Sequence, residues 1–259
     1  MKKLLTLTLL TVLFIFVGCE KEVSLETPNV DYTVKTSDQG ATLSLTWDEI
    51  TDADGYLIYA DGVVIDTVTT TSYDATVPAA KYEISAYAGD QESGKDAVDC
   101  GAVETASLIV WGSSDPDTTH PSAFGFNAQG NAVAYSLSNA NNHPLIDYWI
   151  YSTAGGGTIK FVSPSDRTPP LNNEVNATKN SGQTNYDNVT IADAPGGYST
   201  QTDIQSGAVY YFFIDPTNNN WDASTDHFGK IQVVGINGVQ VTLKIAYQPI
   251  AGLRWCVVE

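Results

Sequence analysis

The chain has 259 residues, of which 42% are hydrophobic and 16% charged, and its 30 acidic side chains oppose 12 basic ones for a formal net charge of -18. So negative a surface repels phosphate backbones and anionic headgroups. That argues against nucleic acid as a partner and against membrane attachment by charge, and it is compatible with calcium or cationic partners.

At the start of the chain, Met1, Lys2 and Lys3 precede an unbroken apolar or threonine run from Leu4 to Val17, the layout of a secretory signal. A spanning helix needs roughly 20 apolar residues. This run stops at Gly18-Cys19 and passes straight into Glu20-Lys21-Glu22. A small residue directly before a cysteine at such a boundary resembles the bacterial lipobox, although Phe16 stands where that family usually has leucine. The resemblance implies cleavage before Cys19, diacylation of its sulfur and acylation of the new amino terminus. Each buried methylene contributes about 0.8 kcal/mol, so two or three fatty chains hold where one does not. The expectation is a signal peptide over 1–18, a tether over 19–28, and an extracytoplasmic protein anchored by its lipid to a bacterial outer membrane or cell surface. Glu20-Lys21-Glu22 resembles the short export signals of some surface lipoproteins and reads equally well as solvated tether.

Residues 29–105 show short alternating runs separated by Gly, Asp and Asn turns, the pattern of a β-sandwich. Leu43, Leu45 and Trp47 alternate with Ser44 and Thr46, so one face of that strand enters a core. Gly55 opens Tyr56-Leu57-Ile58-Tyr59, Asp61-Gly62 predicts a tight turn into Val63-Val64-Ile65, and Tyr82, Ile84 and Ala86 share a face of the run from Lys81 to Tyr87. The tryptophan ending the second strand, the Gly-Tyr-x-Ile strand and the tyrosine ahead of Ile84 and Ala86 resemble a fibronectin type III domain. By that resemblance the fold is immunoglobulin-like, Tyr82 is the tyrosine-corner residue whose hydroxyl pins the crossover between sheets, and the module is a spacer or adhesion unit.

Cys100 and Cys256 are the two cysteines left once Cys19 is lipidated. An even pair in an oxidising compartment predicts a disulfide. It would close a loop long enough to contribute about 5 kcal/mol on the chain-entropy argument.

Residues 106–259 read as a second, larger β-sandwich, which makes the whole chain all-β. Its expected strands are Ser107 to Trp111, Ala132 to Leu137, Ile146 to Tyr151, Thr158 to Val162, Val209 to Ile214, Lys230 to Val234, Val239 to Tyr247 and Leu253 to Val257. Asn237-Gly238 signals a hairpin, and the polar stretch from Ser163 to Tyr186 reads as a long functional or mobile loop. Phe124-Gly125-Phe126-Asn127, Asp147-Tyr148-Trp149 and Phe228-Gly229-Lys230-Ile231 give this part a faint resemblance to the sandwich domains of bacterial surface lipoproteins, haem-capturing haemophores among them.

Catalysis needs a nucleophile, a base and orienting groups brought together. The chain's three histidines, His120, His143 and His227, all fall in Pro- or Asp-rich turns, and no Gly-x-Ser-x-Gly elbow or phosphate-cradling loop is present. The expectation is a non-catalytic protein without a cofactor. The loop carrying Asp215, Asp222 and Asp226 gathers oxygen donors of the kind calcium takes, though Asp and Asn are also ordinary turn formers. On the run from Ile146 to Tyr151, Ile146, Tyr148 and Ile150 share one face. If that face is core, Trp149 and Tyr151 are exposed beside Asp147 as a stacking surface, which Trp221 would extend. The expected partners are the membrane through the lipid and a glycan or another surface protein. Haem or small-ligand capture and a carbohydrate-active enzyme remain the other readings.

Overall fold

The computed structural model describes residues 24–218 and 221–259. The segment expected to be a signal peptide and Cys19 lie outside them. The chain is all-β, in two sandwiches. The first comprises β1 (Val30–Val34), β2 (Leu43–Trp47), β3 (Gly55–Ala60), β4 (Val63–Val68), β5 (Ser72–Ala75), β6 (Lys81–Ala88), β7 (Gln91–Glu92) and β8 (Asp96–Asp99). One sheet runs β1-β2-β5 and the other β4-β3-β6-β7, with β8 also on β6. The alternation of β2 and β6 decides what lies between them: Leu43, Leu45, Tyr82, Ile84 and Ala86 are all buried in one cluster with Tyr56 and Ile58. The β3–β4 turn is formed by Asp61 and Gly62, both at positive φ, which suits the right-handed twist of the strands they join. The Tyr82 hydroxyl donates to the Val77 carbonyl at 2.7 Å, the bond that the tyrosine-corner resemblance implies.

The second sandwich comprises β9 (Val103–Trp111), β10 (Ala123–Phe126), β11 (Ala132–Tyr135), β12 (Tyr148–Ser152), β13 (Ile159–Val162), β14 (Ala177–Asn180), β15 (Gln201–Asp203), β16 (Val209–Ile214), β17 (His227–Asn237) and β18 (Gln240–Tyr247). Its sheets run β11-β10-β12-β13-β15 and β14-β16-β17-β18-β9. The shared core draws Phe124, Tyr148, Ile150 and Phe161 from the first sheet against Tyr210, Phe212, Ile231, Val233 and Leu243 from the second. Strand β17 begins three residues earlier than expected, so His227 is its first residue and not part of a turn. The β17–β18 loop is Gly238-Val239, one residue on from the expected pair, because Asn237 still pairs with Gln240. The long polar stretch contains β14, paired with β16.

Residues 253–257 do not form the expected strand. Trp255 makes a single bridge to Ile191, and the segment lies in the seam between the sandwiches. Leu253 and Trp255 are fully buried in the first sandwich's core, where the Trp255 ring lies 5.8 Å from that of Tyr82. Its Nε1 donates to the Ala41 carbonyl at 2.9 Å. Arg254 Nε donates to the Gln39 carbonyl and Arg254 Nη1 to that of Ala192, which ties a turn of the first sandwich to a loop of the second. The approach is so close that a Cβ on Gly40 would fall 1.8 Å from the Gly252 carbonyl oxygen. The expected disulfide is absent: Cys100 and Cys256 are free, buried thiols. They sit in different apolar clusters, Cys100 with Tyr82 and Trp255, and Cys256 with Ala192, Phe213 and Phe228. The junction is held noncovalently instead, by Gln248 Nε2 donating to the carbonyls of Cys100 and Trp255 and by the Ala102 amide donating to Val257.

Candidate functional site

Strand β12 is central in its sheet, between β10 and β13. Its period of two buries Tyr148 and Ile150 and turns Trp149 and Tyr151 outward, with Tyr151 37% exposed. Tyr148 is locked in the core by its hydroxyl, which donates to the carbonyls of Ala177 and Phe213. Outside, the Trp149 Nε1 donates to the Ser163 carbonyl at 3.1 Å, which orients its ring. The rings of Trp149 and Tyr151 stand 5.9 Å apart at 89°, forming a corner.

This corner forms one wall of a cavity of ≈ 450 Å³, within the size range of small-ligand sites. The loop after β9 supplies Asp115, Asp117 and His120, and the turn after β13 supplies Asp166 and Arg167. His120 stacks on Trp111 at 4.2 Å. Its Nδ1 lies 2.8 Å from Asp115 Oδ2 and its Nε2 lies 3.6 Å from Asp117 Oδ2, so two carboxylates clasp the imidazole. The His120 bond, helped by the Asp117 amide, holds the Asp115 carboxyl below its ordinary range. The hydroxyl and amide of Thr119 do the same for Asp117. Asp166 accepts from Thr200 Oγ1 and Gln201 Nε2. Three of the groove serines already have partners: Ser113 Oγ accepts from the Ser152 amide, and the hydroxyls of Ser136 and Ser138 bond each other. None of them hydrogen-bonds His120.

The structure therefore brings Trp149 and Tyr151 together and separates the other expected site residues from them. Asp147 turns inward, where it accepts from the Phe126 amide. Burial, and then the Glu174 carboxylate, push its carboxyl well above the ordinary range. Trp221 packs on Ala192, Phe213, Phe228 and Cys256, away from the groove. Arg167, Asp166 and the Asp115–His120 pair were not anticipated, since nothing local in the sequence shows that their loops converge on β12.

In the loop expected to take calcium, the described carboxylates bond to groups of the loop itself. Asp226 accepts from the Asp222 amide and from Thr225 Oγ1, Asp222 caps Ser224, and Asp215 accepts from the Thr217 amide. Among the described residues no group of three or more His, Cys, Asp or Glu side chains is placed to hold a metal ion. The other two histidines have settings of their own. His143 Nε2 lies 3.1 Å from the Leu137 carbonyl, while His227 Nδ1 lies 2.9 Å from that of Gln248, with its ring on Tyr247. Among the described residues no helix is long and apolar enough to cross a membrane.

No family model matches the chain, and no curated protein matches it. Among solved structures, a chain described as FN3tt mut is 24% identical over 29% of this chain and 92% of its own, with a TM-score of 0.24. A DUF4466 family protein from Parabacteroides merdae is 10% identical over 87% of this chain and 98% of its own, with a TM-score of 0.42. At those scores neither likeness bears on function.

Proposed function

We propose that this chain is a lipid-anchored protein of a bacterial outer membrane or cell surface that binds a glycan without modifying it. The first sandwich, resembling fibronectin type III, acts as a spacer, and the second carries the groove. The observation behind this reading is the pair Trp149 and Tyr151, turned outward from β12 into a cavity whose other walls are hydroxyl, carboxylate and guanidinium groups. A pyranose ring has an apolar C–H face and a polar rim. An aromatic corner takes the face while planar polar groups take the rim, and the energetic core of such a site is the aromatic contact. Binding in preference to turnover is supported by His120, whose two nitrogens face carboxylates and no hydroxyl.

The test is titration of intrinsic fluorescence with a panel of neutral and charged oligosaccharides. A bound sugar quenches the tryptophan signal, and Trp149→Ala and Tyr151→Ala each weaken binding at least about tenfold, the loss expected for about 1.4 kcal/mol of contact, without changing the circular dichroism. A chain that binds no member of the panel, or binds as tightly in both variants, sinks the reading. The anchor is tested separately, by intact mass of protein extracted from membranes and by release of Cys19→Ser into the soluble fraction.

A further inference from the structure

The charged groups of the groove are not equally free. Asp115 is held by His120 and the Asp117 amide, Asp117 by both polar groups of Thr119, and Asp166 by Thr200 and Gln201. Arg167 lines the same cavity half-buried. Its backbone amide reaches Pro164, but its guanidinium makes no hydrogen bond or ion pair with any described residue. A half-buried guanidinium with five donors and no acceptor is a fork waiting for a planar anion, which it grips bidentately where a lysine offers only a point charge.

The geometry points to an acidic sugar as the ligand: a uronic-acid residue stacked in the Trp149–Tyr151 corner with its carboxylate on Arg167. This inference rests on the glycan reading above and narrows it. The chain's net charge of -18 acts through solvent and is screened over about 8 Å at physiological salt. It slows the approach of an anion without cancelling a direct contact in the groove. The three groove carboxylates, already satisfied by donors of the chain, have less to gain from a ligand cation than Arg167 has from an anion.

The experiment uses the full chain and calorimetric titration with trisaccharides of galacturonic and mannuronic acid, each beside its methyl ester, which keeps the ring and removes the charge. The expected result is that at least one acid binds tenfold or more tighter than its ester. In Arg167→Gln that preference vanishes, because the acid loses at least about tenfold more affinity than the ester, and in Arg167→Lys it is partly kept. Trp149→Ala weakens acid and ester alike. Equal binding of acid and ester, or an acid preference that survives in Arg167→Gln, overturns this inference and leaves the glycan reading standing. Binding of a sulfated trisaccharide without binding of either uronate also overturns it. Failure of every sugar in both this series and the neutral panel overturns the two together.

Discussion

Replacing Trp255 by alanine tests how the two sandwiches are joined. The side chain is 0% exposed, in the first sandwich's core, although it lies only four residues from the chain's end. Truncating a buried tryptophan costs about 3–5 kcal/mol, and the Ala41 carbonyl loses its donor, which adds about 1 kcal/mol. Folded domains hold only about 5–15 kcal/mol in all, so the first sandwich loses a large fraction of its stability. With a urea slope of about 2 kcal/mol/M, its midpoint falls by about 2–3 M. The core of β16, β17 and β18 does not contain Trp255, so its amides keep their protection while those of Leu45 and Ile84 exchange faster. Trp255→Phe keeps a ring against Tyr82 and loses the Nε1 bond, so it costs nearer 1–2 kcal/mol. Urea melts followed by hydrogen exchange read both variants. A Trp255→Ala melt within about 1 kcal/mol of the parent, or a loss of protection beginning in β16–β18, refutes the reasoning.

The thiols and one carboxyl make two further predictions. Burial pushes the thiols of Cys100 and Cys256 up to about 12, so in a Cys19→Ser background neither reacts with a disulfide reagent at pH about 8 in the native chain, and both react on unfolding without reductant. A melting temperature lowered several degrees by dithiothreitol would restore the disulfide. Burial also lifts the Asp226 carboxyl to about 6, above the roughly 3.9 of an unfolded aspartate. The folded chain then keeps a proton that the unfolded chain releases, so this group's contribution to stability is complete below about pH 4 and is lost as pH rises through about 6. Asp226→Asn removes that slope, which thermal melts of both proteins across the window detect as a difference narrowing toward acid. Parallel profiles would count against it.

Alternation was enough to read β2, β6 and β18, and an unbroken apolar run to read β16, because each buries one face or both against a sheet of its own sandwich. It failed where burial came from elsewhere. Leu253, Arg254, Trp255 and Cys256 are all buried, wedged in a seam, and an uninterrupted buried run reads as a strand when only local pattern is available. The short strands β10, β14 and β15 have little periodicity of their own and exist through partners far along the chain: Phe124 pairs with Tyr148, Thr178 with Phe212, and Phe161 with Thr202. The same division runs through the groove. Trp149 and Tyr151 were legible because a strand's period of two settles which side chains share a face. Trp221 was misplaced because an Asn-rich neighbourhood announces a loop without saying where its ring packs. Arg167, in Ser-Asp-Arg-Thr-Pro-Pro, carries no local signal, since its freedom from partners is a property of the fold around it.

The junction also bears on how a groove so built would be presented. Strand β8 ends at Asp99 and β9 starts at Val103, so the connection is too short to act as a hinge, and its carbonyl and amide groups are bonded to Gln248 and Val257. Arg254 and Trp255 then close the seam from the far end of the chain. Domains joined by a polar linker move independently by default, whereas a buried apolar and hydrogen-bonded seam removes that freedom. With a lipid at Cys19, the spacer and the groove would therefore move as one body. Trp255→Ala would loosen that arrangement without touching a groove residue, so its effect on glycan capture at a cell surface should exceed its effect on glycan affinity in solution. Equal effects in the two assays would mean that the seam plays no part in presentation.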